Sequence, residues 1–147
     1  MTIIAYKDGM MAADSCTFSG GRKYPVPEPK IVRSALGLFG AAGRNSDCWL
    51  GRSWFRSGAA QGQEQPNFSK DEHDSVEFLW VKPDWSVWWA DDRLQFTPYA
   101  FPACIGESSV VSFTEGAMMA GLSAPAAVAL AIRHCVWVGG EVQVERL

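Results

Sequence analysis

The sequence predicts an α+β fold of four layers (αββα): two antiparallel sheets stacked face to face, with helices on both outer faces. Three observations carry this reading. Short apolar runs bounded by tight-turn signals fall into two groups, residues 2–42 and 76–105; helical patterns occupy 47–56, 112–121 and 124–134; and an alternating run closes the chain at 141–147. Strands, one helix, more strands, two helices and a last strand are best satisfied by two sheets that bury one face against each other and the other under helices. A chain of 147 residues, 48% hydrophobic, fits a single domain over 1–147.

Each element has its own signal. Residues 2–6 (Thr-Ile-Ile-Ala-Tyr) read as a strand, Lys7-Asp8-Gly9 as a tight turn, and 10–14 as the hairpin partner. Residues 19–29 carry Gly20-Gly21 and three prolines and read as a loop too broken for regular structure. Short strands follow at 30–33 and 36–42, the second ending at Gly43. Asn45-Ser46-Asp47 supplies helix-start chemistry for 47–56, with Trp49, Leu50 and Trp54 as its apolar residues. Residues 58–74 are polar and rich in Gln and Gly, and read as a loop or weak helix and the place where mobility is expected.

The second group gives strands at 76–81, 86–90, 93–97 and 103–105, with Pro83-Asp84 as a turn. Trp85, Trp88 and Trp89 read as strand aromatics filling a sheet-to-helix interface rather than as a stacking platform for a sugar or base. A helix is expected at 112–121. Ser123 then caps a second at 124–134, with Pro125 in the first turn where proline is tolerated. Gly139-Gly140 is a turn before the last strand.

Composition excludes several function classes. The net charge is −3, with acids and bases mixed, so no basic stripe points to nucleic acid. No signal-peptide order opens the chain and no apolar stretch reaches a membrane span, so a soluble cytoplasmic protein is expected. Cys16, Cys48, Cys104 and Cys135 are widely spaced and read as reduced thiols. Neither they nor His73 and His134 show metal-ligand spacing, so no metal site is expected. His134-Cys135 reads as a buried thiol beside a helix-terminal histidine rather than a thiol–imidazole pair.

The start of the chain carries the chemistry. Methionine is commonly trimmed before a residue as small as Thr2, and trimming leaves an α-amine beside the Thr2 hydroxyl. That puts a nucleophile and its base on one residue, one way to activate a weak alcohol. Asp14 follows in Ala12-Ala13-Asp14-Ser15, Lys30 opens Lys30-Ile31-Val32, and Gly43 and Asp47 stand in Leu38-Phe39-Gly40-Ala41-Ala42-Gly43-Arg44-Asn45-Ser46-Asp47.

This series resembles the β-subunits of the proteasome and the HslV-type peptidase, members of the N-terminal nucleophile hydrolases. Gly116-Ala117-Met118, the Ala-rich helix and Gly139-Gly140 leading into Val142-Gln143-Val144 extend the resemblance to the closing segment. It implies that Thr2 is the nucleophile, Asp14 the conserved acid, Lys30 the lysine that favours the alkoxide, and Gly43 the oxyanion donor. It places Ala41 at the floor of the specificity pocket and Cys16, in place of a usual arginine, among the substrate-binding residues. Lys23, in the Gly/Pro-rich loop, is the weaker candidate for the lysine role.

The pattern departs from the family where a serine is expected in a Gly-Ser-Gly segment. Glu107 stands at that offset in Ile105-Gly106-Glu107-Ser108-Ser109, so Ser108, or Ser109 after a shift, is the candidate. Cys135 replaces the expected acid and Val138 a small hydroxyl residue, and the helical region after Cys48 is shorter. The resemblance implies a threonine-type peptidase acting on polypeptide or peptide. It further implies no metal or organic cofactor, a homo-oligomeric ring or related assembly, and an ATP-driven unfoldase as partner. Two alternatives stand beside it: a catalytically inactive family member with an assembly role, and a small-molecule amidase.

Overall fold

The structure, a computed structural model, describes residues 1–58, 64–69 and 75–147. β1 (Ile3–Lys7) and β2 (Met10–Asp14) pair across Asp8-Gly9, both at positive φ, the two-residue turn whose twist matches the strands. β3 (Cys16–Ser19) and β4 (Arg22–Pro25) form a separate hairpin. β5 (Ile31–Ser34), β6 (Gly37–Ala42), α1 (Asn45–Arg56), β7 (Glu77–Val81), β8 (Val87–Ala90), β9 (Thr97–Pro98) and β10 (Ala103–Gly106) follow. α2 (Ser108–Met119), α3 (Ala124–His134) and β11 (Val142–Arg146) close the chain.

One sheet has the order β10-β1-β2-β11 and the other β5-β6-β7-β8-β9, every pair antiparallel. Side-chain alternation sorts the strands into layers. Ile4, Tyr6 and Met11 of the first sheet meet Ile31, Leu38, Leu79 and Val81 of the second. On the outer face of the first sheet, Ile3, Ala5 and Ala12 pack under Val110, Met118, Ala127, Val128 and Ala131 of α2 and α3. On the outer face of the second, Phe39 stacks on Phe55 of α1 and on Phe78, with ring centroids 4.5 and 5.4 Å apart. The four-layer expectation holds.

Three local readings need correction. The loop expected at 19–29 contains the β3–β4 hairpin, because Gly20 and Gly21 both take positive φ and make a two-residue turn between Ser19 and Arg22. The prolines act only after Pro25, where the strand stops. The strand expected at 93–97 is a turn: Asp91 accepts from the backbone N–H of Arg93 and of Leu94, Leu94 has positive φ, and pairing begins only at Thr97. The helix expected from residue 112 starts at Ser108, directly after β10.

The tryptophan reading needs correction too: none of the three fills the sheet-to-helix interface. Trp89 packs on the core between the sheets, but Trp85 is exposed and Trp88 lies under the Lys82 ammonium at 4.0 Å. Trp80, not the 85–89 group, joins the interface with α1, edge-on to Phe55. Ser123 caps α3 as expected by accepting from the Ala126 N–H. Residues 64–69 have no regular structure and bury Phe68; residues 59–63 and 70–74, where much of the expected mobility was placed, lie outside the described residues. Among the described residues no helix is long and apolar enough to cross a membrane.

The topology brings five chain segments to one end of the two sheets. They are the residue before β1, the end of β2, the residue before β5, the end of β6 and the end of β10. α1 lies close enough to its sheet that a Cβ on Gly51 would overlap the Phe78 ring. Gly51→Ala is therefore expected to lower stability by about 1–3 kcal/mol, despite alanine's better helix propensity. A urea midpoint at or above that of the wild type would contradict this packing.

Candidate active site

Asp14 ends β2 beside the start of β1 and is fully buried. Its Oδ1 accepts from the Ile3 N–H (3.1 Å) and the Lys30 ammonium (2.7 Å). Its Oδ2 accepts from the N–H groups of Gly139 (3.2 Å) and Cys16 (3.4 Å). A buried carboxylate is costly unless its lone pairs are met, and here four donors from four places in the chain meet them.

Lys30 stands just before β5, 4% exposed. Its ammonium donates to Thr2 Oγ1 (2.9 Å), to Asp14 and to the Cys16 carbonyl, which uses all three of its hydrogens. Its backbone is fixed as well: its N–H donates to Gln143 Oε1 (2.8 Å) and its carbonyl accepts from Ala41 N–H (3.3 Å). Burial pulls Lys30 below the ordinary lysine range, and the Asp14 charge works against that pull. Asp14 and the Cys16 carbonyl can only accept, and with Lys30 charged its third hydrogen goes to the Thr2 oxygen.

Thr2 is 8% exposed, and its carbonyl accepts from the Glu107 N–H (3.0 Å). Gly106 makes that approach feasible: it has positive φ, and any Cβ there would overlap the Thr2 carbonyl oxygen. Thr2 lines a cavity of about 230 Å³ with Met1, Ala42, Gly43, Ser75, Glu77, Gly106 and Glu107. At its mouth the Met1 amine is held below the ordinary range for a terminal amine, first by burial and then by the Lys30 charge; Asp14 and Glu107 oppose this. An amine here is biased toward its neutral, proton-accepting form.

The structure brings Thr2, Asp14 and Lys30 together and sets Gly43 in the same cavity. Gly43 is at positive φ and so close to the Ser75 carbonyl that no side chain fits. Ala41 lies on the opposite face of β6, buried under α1, and Ala42 is the residue that lines the cavity with Thr2. Cys16 contributes its backbone to the cluster, while its side chain packs near Gly139 and Gly140, away from the cavity lining.

Ser108 is not in this cavity; it lines another, with Trp89, Tyr99 and Val111. Ser109 donates to Glu107 Oε1 at 3.3 Å. Lys23 donates to the Val138 carbonyl (2.7 Å), and it is Lys30 that stands beside Thr2. The Cys48 thiol is pushed up to about 11, chiefly by burial, and so stays protonated. His134 is exposed beside a half-buried Cys135. His73 lies outside the described residues, among which no group of His, Cys, Asp and Glu is arranged to hold a metal.

Glu77 was missed by sequence reasoning. It opens β7 directly opposite Ala42, accepts from the Gly106 N–H (3.3 Å), and is pushed above the ordinary carboxyl range by burial. Only the β6–β7 register puts it in the cavity, and register is not written in either strand alone.

No protein-family model matches this sequence, and no curated protein does. Solved structures share its fold. Eukaryotic HslV from Trypanosoma brucei aligns with a TM-score of 0.68 at 15% identity, over 99% of this chain and 98% of that chain. Anbu (ancestral beta-subunit) from Yersinia bercovieri aligns with a TM-score of 0.64 at 12% identity, over 98% of this chain and 80% of that one. This chain therefore shares the fold of these two structures over nearly its whole length.

Removing one member of the buried pair strands the other. Lys30→Met is expected to cost about 3–5 kcal/mol of stability because Asp14 keeps its charge without its cation. Denaturant unfolding checks this, and a loss below about 1 kcal/mol would mean that the pair is not buried as described.

Proposed function

We propose that this chain is an N-terminal threonine hydrolase that cleaves amide bonds of polypeptide, with Thr2 as nucleophile once Met1 is removed. The observation that carries the reading is the Lys30–Thr2 Oγ1 hydrogen bond inside the buried Lys30–Asp14 pair, beside an open cleft.

The freed α-amine takes the Thr2 Oγ proton, and Oγ attacks the substrate carbonyl carbon. Lys30 stabilises the oxygen as its negative charge develops, and it is already in place before the charge appears. Asp14 compensates the Lys30 charge without touching the reacting atoms. Gly43, with no side chain in the way, offers its backbone to the oxyanion. The amine then gives its proton to the leaving nitrogen, the C–N bond breaks, and an ester on Thr2 remains for water to hydrolyse.

We further propose, from the resemblance of the sequence to its family, an assembly of several copies and an ATP-driven unfoldase as partner. A small-molecule amidase would use the same chemistry. A second reading, an inactive assembly subunit, is favoured by one observation: Ser108 stands outside the cleft, and Glu107 lines it.

Two measurements test the proposal. Protein beginning at Thr2 should form a covalent adduct with a peptide epoxyketone, seen by intact mass. Thr2→Ala should form none and should keep its circular dichroism spectrum, with an unfolding midpoint lowered because one Lys30 hydrogen loses its acceptor. A wild type that never labels leaves the assembly reading.

The second is the pH profile of kcat/KM. The amine works only when neutral, and the terminal amine of Met1 in this cavity is held below its ordinary range by burial and the Lys30 charge; the Thr2 amine, in the same cavity, is proposed to share that bias. Activity should therefore persist at neutral pH and fall as pH drops through that lowered value. An acid limb above pH 8 would show that the amine is not biased toward its neutral form.

A further inference from the structure

We infer that Glu107 is the positioning residue for the α-amine of Thr2, in the place the resemblance reserves for a serine. The inference rests on the threonine-hydrolase reading and concerns the partner of its base.

The geometry is specific. The Glu107 N–H holds the Thr2 carbonyl at 3.0 Å, so residue 107 is fixed beside residue 2. Glu107 is half-buried and lines the cavity that holds Met1 and Thr2. The two serines that follow do not line that cavity; Ser108 borders another, and Ser109 donates to Glu107 Oε1.

The other charged groups facing the amine are committed elsewhere. Lys30, before β5, has used its three hydrogens, and Asp14, on β2, has donors on both oxygens. Cys48, on α1, is a neutral thiol, and Glu77, on β7, accepts from Gly106. Glu77 and Glu107 each accept one bond and keep acceptor capacity, but burial pushes Glu77 toward its neutral form, whereas Glu107 is tied to Thr2 by its own N–H and its charge acts on the terminal amine of Met1 in the same cavity. It would orient the amine's lone pair and hold the proton that the amine takes from Oγ. It would also offset the Lys30 charge, which drives that proton off.

The test uses protein that begins at Thr2, released from a fusion by a protease that leaves no extra residue. Two readouts are taken on wild type, Glu107→Gln, Glu107→Ser and Glu107→Asp. The first is the titration midpoint of the amine, by NMR of the terminus reductively methylated with ¹³C. The second is the pH dependence of epoxyketone labelling.

Glu107→Gln and Glu107→Ser should move the midpoint and the acid limb down by about one pH unit, so that labelling well below the midpoint is up to about tenfold faster than in wild type. Glu107→Asp should stay close to wild type. A purely structural role would slow labelling at every pH and leave the limb where it was; an unmoved midpoint in the neutral variants overturns the inference. If wild type fails to label at any pH, the hydrolase reading fails, and the NMR titration still decides whether Glu107 governs the amine.

Discussion

The buried Lys30 ammonium is the constraint around which this molecule is organised. A cation so removed from water is tolerated only with an opposite charge and an acceptor for each hydrogen. Those acceptors come from the residue before β1, the end of β2 and the start of β3. Sheet pairing brings them together: β1 against β2 places Thr2 near Asp14, and the face-to-face stacking of the two sheets brings Lys30 across to both. The bond that satisfies the lysine is also the bond that polarises the Thr2 hydroxyl. The same nitrogen therefore serves the buried ion pair and the Thr2 hydroxyl, and a change at Thr2 is felt by the pair.

The cleft above that cluster has a mixed electrostatic character. Burial and Lys30 drive protons off an amine placed there, and Asp14 and Glu107 draw them back. The two carboxylates on the cleft wall differ in kind. Glu77 is pushed toward its neutral form by burial and is tied to a backbone N–H, whereas Glu107 sits next to the terminus itself. The proton affinity of the terminus is thus a balance among groups on several elements, and no single residue sets it.

Much of this was legible in the sequence, and the gaps have physical causes. Thr2, Asp14 and Lys30 could be named because order and spacing at separated points agreed with a known family, and the two-sheet arrangement followed from the rhythm of turns and apolar runs. The β3–β4 hairpin was lost because three prolines outweighed a Gly-Gly pair whose positive φ angles make the turn. Glu77 was lost because only register brings it opposite Ala42. Ala41 and Ala42 show the limit of motif transfer: adjacent residues on a strand face opposite layers, so one lines the Thr2 cavity and the other lies beneath α1. Glu107 was noticed as a departure, but only its bond to the Thr2 carbonyl gives that departure a place in the chemistry.

Gly139 and Gln143 lie near the far end of the chain, yet one donates to Asp14 and the other accepts from the Lys30 backbone. While the polypeptide is still emerging during synthesis, neither is present to complete the cluster. The buried Lys30–Asp14 pair therefore keeps unmet hydrogen-bonding groups until the segment from Gly139 to Gln143 docks.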